Sequence, residues 1–281
     1  MTKTWLTATT AAAAVLLCAG ALAADPSSFP GGGFDARSLG RGGTGVATPP
    51  GPSSVLGNPA TLTATGIFSL GADYVRSRDT SKGTWALSLV DTASSVRGAL
   101  AYFTNPEFAD FEKNLWGVAF AQSLTPYLTI GESFHMGEYE PDAAPGEEKS
   151  LSGADLGFLL KMGGHISLGY VARNVYRSDS DLLEDSSAFG VSLDLPWTIL
   201  FTADYEETPL TDDHDLRAGV EFKPFKAVTA RLGYQDLAGG TVYYSVGLSY
   251  SDPYGTVDAA ILYNEETEKT DRVVIGVTMG M

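Results

Sequence analysis

Residues 215–223 read DLRAGVEFK, and they alternate without a break: Leu216, Ala218, Val220 and Phe222 fall on one side, Asp215, Arg217, Gly219, Glu221 and Lys223 on the other. Successive side chains of a β-strand point to opposite faces, so this is a strand that separates an apolar medium from a polar one. The same pattern recurs on both sides of it. AFGVSLDL sets Phe189, Val191, Leu193 and Leu195 against Ala188, Gly190, Ser192 and Asp194. WTILFTADY carries the apolar row Trp197, Ile199, Phe201, Ala203 and Tyr205, and FSLGADY the row Phe68, Leu70, Ala72 and Tyr74. Gly and Ala are common on the second face, and helical periodicity is nowhere sustained.

About fourteen such segments follow one another, starting near Ile67, Thr84, Ser95, Leu115, Tyr127, Leu151, His165, Ser187, Trp197, Asp215, Ala227, Val242, Thr256 and Asp271. Their length suits a tilted membrane strand of roughly 9–11 residues, and an even count suits a bacterial barrel. Connections after the even segments are short (DTAS, SLTP, MGG, PW, PFK, DPYG); those after the odd ones tend to be longer and charged, as in GEYEPDAAPGEEKS. Short turns at one end and long loops at the other mark an outer-membrane barrel. Aromatic residues fall near segment ends: Tyr74, Tyr102, Trp116, Tyr205 and Tyr263 at one rim, Tyr127, Trp197, Phe222 and Tyr250 at the other. Such girdles sit at membrane interfaces. A soluble β-sandwich or solenoid would also alternate, but it has no reason to alternate its loop lengths. The expected fold is all-β: a transmembrane antiparallel barrel of about 14 strands over residues 66–281.

The first residues fit export. Lys3 is followed by AAAAVLLCAGALA, which is short for a membrane-spanning helix and ends in the small-x-small site Ala21-Leu22-Ala23. Residues 1–23 read as a signal peptide cleaved after Ala23. A lipoprotein signal using Cys18 is the alternative, with Leu17 a poor fit before it. Cys18 is the only cysteine, so the mature chain would have no disulfide and no thiolate metal site. No later run is long and apolar enough for a helical span. Localisation in the bacterial outer membrane follows, with lipid as the surrounding partner. The net charge of -16 argues against nucleic acid, which needs clustered Lys and Arg.

Gly40 to Gly45, GRGGTG, has the spacing of a dinucleotide-binding turn. That turn requires a strand before it and a helix after it, and ATPPGPSS cannot open a helix. The glycines belong instead to a Gly-, Pro- and Ser-rich stretch, residues 24–65, without strand alternation. A fourteen-stranded lumen is too wide for its own side chains to fill, so this stretch reads as an N-terminal hatch in the lumen. A disordered periplasmic tail is the alternative.

The stretch ARSLGRGGTGVA…SSVLGNPATL resembles the N-terminal signature of the FadL-type outer-membrane transporter superfamily, which includes the PorV-like barrels of type IX secretion. The resemblance rests on Arg37, Gly40, Gly42, Gly43, Val46 and Ala47, then Ser54, Asn58, Pro59, Ala60 and Leu62. TPPGPSS replaces the acidic stretch between the two halves, and Arg41 stands where small or apolar residues are usual. The resemblance implies a fourteen-stranded barrel with a hatch, and passive transport of hydrophobic small molecules. It equally admits a PorV-like, non-transporting partner of a secretion or surface-attachment system; a general diffusion porin is the third class.

No catalytic motif, cofactor site or metal site is expected. His135, His165 and His214 lack a recognisable acid-base spacing. SDSDLLED, with Asp179, Asp181, Glu184 and Asp185, lacks the ligands of an EF-hand loop and reads as a solvated acidic loop or a weak cation site. The alternation assigns Asp73, Arg97, Asp155, Arg173, Asp194, Asp204, Arg217, Glu221, Arg231, Asp258 and Arg272 to the lumen. These form either a hydrophilic conduit or a salt-bridged lining that holds the hatch. Phe103, Leu159, Val171, Leu200, Leu262 and Val274 are the fewer inward apolar residues, for a hydrophobic ligand or for packing on the hatch.

Overall fold

The computed structural model describes residues 35–49, 55–64, 68–78, 83–92, 95–104, 114–139, 149–178, 185–208, 213–238 and 240–280. The signal peptide, Ser54, Asp179, Asp181 and Glu184 lie outside the described residues. Fourteen strands follow in order: β1 (Ser69–Ser77), β2 (Thr84–Asp91), β3 (Val96–Thr104), β4 (Asn114–Ser123), β5 (Leu128–Tyr139), β6 (Lys149–Met162), β7 (Ile166–Arg177), β8 (Ser186–Leu195), β9 (Ile199–Thr208), β10 (Asp213–Phe225), β11 (Val228–Leu237), β12 (Thr241–Asp252), β13 (Gly255–Asn264) and β14 (Lys269–Gly280). Each pairs antiparallel with its sequence neighbours, and β1 pairs with β14 to close the barrel. Closure leaves no open edge, which is the condition for a sheet in lipid, where an unpaired backbone group costs several kcal/mol.

Burial follows the sequence alternation. Trp85, Leu87 and Leu89 of β2 are exposed, while Thr84, Ala86, Ser88 and Val90 between them are buried. Across β8 to β11 the register aligns Val191, Ala203, Ala218 and Tyr234 in one outward row and Leu193, Phe201, Val220 and Leu232 in the next. These rows form the lipid-facing wall. An arginine at Leu232, outward and in mid-strand, is expected to destabilise the barrel by about 2–4 kcal/mol, whereas one at Asp194, inward and exposed at the lumen mouth, costs little. Denaturant titration of both variants in lipid vesicles measures the difference; equal costs would refute the assigned faces.

The short connections turn tightly. Gly163 and Gly164 take φ of 61° and 77° between β6 and β7. Trp197 and Thr198, at φ of 67° and 62°, make the equivalent turn between β8 and β9 without glycine. The Thr198 hydroxyl holds that turn by donating to the Lys223 carbonyl at 2.8 Å. Trp197, Phe225 and Tyr254 are exposed in these turns.

Inside the barrel lie a short helix α1 (Ala36–Gly40) and a 3-10 helix (Pro59–Ala64). Asp35 caps α1, its carboxylate accepting from the backbone N–H of Arg37 at 2.8 Å and Ser38 at 3.0 Å. Asn58 caps the 3-10 helix, its Oδ1 accepting from the N–H of Ala60 at 3.0 Å. Gly42 and Gly43 take φ of 69° and 72°, conformations a side chain rarely adopts. They reverse the chain after α1, with Gly43 N–H donating to the Ser38 carbonyl at 2.8 Å.

Candidate functional site: the lumen

The described N-terminal segment crosses the barrel between facing walls. Helix α1 packs on β11 to β14, and the 3-10 helix packs on β3 to β6. Between them the backbone runs against β7 to β11, and inward glycines admit it. A Cβ on Gly169 would sit 1.9 Å from the Val46 carbonyl oxygen, one on Gly233 1.9 Å from the Gly42 nitrogen, and one on Gly219 2.3 Å from the Arg41 carbonyl oxygen. Gly131 and Gly157, directly paired across β5 and β6, meet Ala60 and Asn58 in the same way. These glycines form a belt around the lumen. The sequence shows them only as small residues on the inward face; that they line up requires the register.

Directional bonds fasten the segment to one side of this belt. The Asp204 carboxylate accepts the backbone N–H groups of Gly45 at 2.7 Å and Val46 at 3.0 Å. Asn58 Nδ2 donates to the carbonyls of Val46 and Phe158, at 2.8 and 2.9 Å. Gly42 N–H donates to Ser245 Oγ at 3.0 Å, and the Thr44 and Thr202 hydroxyls share a bond of 2.7 Å. Arg173 donates through Nη1 to the Leu56 carbonyl at 3.0 Å.

Behind these contacts lie two buried ion networks. Arg217, 1 % exposed, bonds Glu206 at 2.8 Å and also Asp215. Glu206 in turn accepts from Arg173 Nε and Ser186 Oγ, each at 2.8 Å. Arg231 bonds Glu221 at 2.8 Å and Asp258 at 3.0 Å, with Ser249 bonded to both Arg231 and Asp258. The N-terminal segment joins this second network through Arg41, 3.7 Å from Glu221, and Arg37, 3.8 Å from Asp258. Burial pushes the Arg41 guanidinium down to about 10, Glu221 opposing and Arg231 adding, so it stays charged at neutral pH. Buried charges persist only when paired, and here the pairing partners hold one another.

The remaining inward residues are placed as follows. Asp73 accepts the Ala36 N–H at 3.5 Å. Asp155 accepts from Ser133 Oγ at 3.0 Å and from the Asn174 N–H at 2.9 Å, where β7 bulges away from β6 and Asn174 takes φ of 51°. His135 lies 3.7 Å from Asp155 and bonds Asn174 at 3.0 Å. The serine hydroxyl of this cluster donates to the carboxylate and not to the imidazole, so it is not arranged as a nucleophile. Arg272 sits 3.6 Å from Asp271. Asp194 and Arg97 lie apart from the networks, near the turn ends of β8 and β3. Gly40 packs on Gly247, and Pro59 and Ala60 are buried.

Sequence reading missed Glu206, Asp215 and Arg41 as lumen anchors. Glu206 reads as loop because β9 runs three residues past Tyr205, the last apolar residue of its row. Arg41 shows only as a departure from a resemblance.

The lumen lining is two-sided. β7 to β10 carry the charges at the loop end, whereas Val75, Phe103, Leu115, Leu151, Leu262 and Val274 make the other side apolar and fully buried. They share one apolar cluster with Leu39, Val55 and Leu62 of the N-terminal segment. No protein-family model and no curated relative matches the chain. Solved structures do. The Pseudomonas putida toluene transporter TodX superposes with a TM-score of 0.66 at 15% identity, over 90% of this chain and 99% of that one. The Ralstonia pickettii toluene transporter TbuX gives 0.66 at 16%, over 89% and 99%. A Pseudomonas aeruginosa FadL homologue gives 0.59 at 12%, over 87% and 98%. The barrel therefore has the fold of the FadL-type outer-membrane channels.

Proposed function

We propose that the chain is an outer-membrane channel for the passive uptake of hydrophobic small molecules, with residues 24–65 as its hatch. The observation that carries this reading is the apolar side of the lumen, which a water-filled porin does not need. The fold neighbours, toluene and hydrocarbon channels, support it. On this reading the acidic loops face outward and the short turns face the periplasm.

A second reading has its own observation. The glycine belt holds the hatch backbone so closely that a permanently closed barrel, a PorV-like partner of a secretion or surface-attachment system, is also supported. Uptake of labelled toluene and labelled glucose by cells with and without the chain separates the classes. Faster toluene uptake with unchanged glucose uptake is expected. Unchanged uptake of both would leave the partner role, and a rise in both would make the chain a general porin.

A further inference from the structure

The hatch makes most of its hydrogen bonds to β6, β7, β9 and β12; on the β1 to β5 side its bonds are Ala36 N–H to Asp73 at 3.5 Å and Thr63 to Thr129 at 3.2 Å, and the rest is apolar contact. Its described helices pack on β3 to β6 and β11 to β14, and its intervening backbone on β7 to β11. β1 and β2 complete the wall between these groups. From β2 to β4 five buried inward residues are alanines, Ala86, Ala99, Ala101, Ala119 and Ala121, set among Val90, Phe103 and Leu115. Apolar contact is non-directional, so a solute displaces it at less cost than it breaks the bonds made by Asp204, Asn58 and Arg173.

In the middle of β2 a polar group interrupts this apolar face. Ser88 points inward from the middle of β2 and is 8 % exposed. Register places it between Gly71 on β1 and Ala101 on β3, with Ala86 and Val90 before and after it on its own face. Its hydroxyl is buried and has no hydrogen-bond partner among the described residues. The nearest inward polar residues by register are Asp73, opposite Ala86 and bonded to the Ala36 N–H, and Ser69, opposite Val90. Its directly paired and same-strand neighbours, Gly71, Ala101, Ala86 and Val90, carry no polar side-chain group. A buried hydroxyl without a partner is costly, and a serine in a row of alanines has no packing advantage over another alanine.

We propose that the β1–β3 side of the lumen is a binding position for an apolar molecule carrying one uncharged hydrogen-bond acceptor, and that the Ser88 hydroxyl donates to that acceptor. This rests on the transport reading and narrows its substrate class. A plain hydrocarbon would fill the alanine-lined face but leave the hydroxyl unpaired. An aryl or alkyl ketone, ester or ether would satisfy both. A free carboxylate would bring a second negative charge beside Asp73, two positions along the face from Ser88; Arg97 lies nearer the turn end of β3.

Acetophenone and ethylbenzene are near-isosteric and differ in this one acceptor. Their dissociation constants are measured by calorimetric titration of the full chain in detergent, for wild type, Ser88→Ala and Ser88→Thr. The wild-type preference for acetophenone over ethylbenzene is expected to exceed that of Ser88→Ala by about fivefold, the ratio one neutral hydrogen bond supplies. Ser88→Thr keeps the hydroxyl and should keep the preference. The carbonyl stretch of bound acetophenone should shift to lower frequency in wild type and not in Ser88→Ala. Ser88→Ala should retain heat-modifiable gel migration, since it removes an unpaired hydroxyl. If both probes bind and the preference is the same in Ser88→Ala, Ser88 does not read the acceptor and this inference falls while the transport reading stands. If neither probe binds wild type, both fall.

Discussion

Replacing Arg217 by methionine is expected to destabilise the barrel by about 3–5 kcal/mol, the cost of leaving buried charge uncompensated. Arg217 is the link between two carboxylates, Glu206 and Asp215, on neighbouring strands β9 and β10. Without it, Glu206 retains Arg173, while Asp215 loses its guanidinium partner and keeps the backbone N–H of Ala238 at 2.8 Å. Methionine is close in volume, so the loss reports charge and not a cavity. Denaturant unfolding of the variant in detergent or vesicles, followed by fluorescence, measures the cost. A double variant, Arg217→Met with Asp215→Leu, should recover much of it, because removing both partners removes the unpaired charge. A single variant within about 1 kcal/mol of wild type would show that water reaches this network and screens it.

The glycine belt predicts the second large effect, on the lumen itself. Gly169→Val or Gly233→Val puts a Cβ 1.9 Å from hatch backbone, closer than any packing permits. The wall cannot yield easily, because each strand is held by ladders on both sides. The hatch should move instead, losing its bonds to Asp204 and to the Phe158 carbonyl. In planar bilayers the expected result is conductance steps that wild type lacks, with heat-modifiable migration retained. Gly98→Val is the control: the nearest atom to its Cβ is a Phe120 ring carbon at 3.8 Å, on the outward side. If the belt variants and wild type conduct alike, residues 24–65 do not close the lumen.

Much of the barrel was legible in the sequence. Alternation with period two placed Leu216, Ala218, Val220 and Phe222 outward and Arg217 and Glu221 inward, because a strand leaves only two faces and lipid accepts only one kind of side chain. The segment starts read from that pattern fall within two residues of the observed strands, from Ser69 through Lys269. Alternating connection lengths showed neighbour-to-neighbour pairing. Local chemistry also marked the bends of the N-terminal segment: Gly42 and Gly43 at positive φ, and Asn58 before Pro59 as a cap.

Only the tertiary structure decided what the inward residues meet. Alternation assigns a face but carries no register between distant strands and no depth along the lumen. It could not show that Gly219 stands opposite Gly233, that Arg217 joins Glu206 to Asp215, or that Asp204 receives the N–H groups of Gly45 and Val46. It equally could not separate Ser88, without a hydrogen-bond partner among the described residues, from Ser245, bonded to Gly42. The physical reason is range. Which face a residue takes is settled by its neighbours along the strand, within a few ångströms of chain. Which partner it finds across the lumen depends on barrel closure and on the path of an N-terminal segment more than a hundred residues away in sequence, as with Thr44 and Thr202 at a separation of 158.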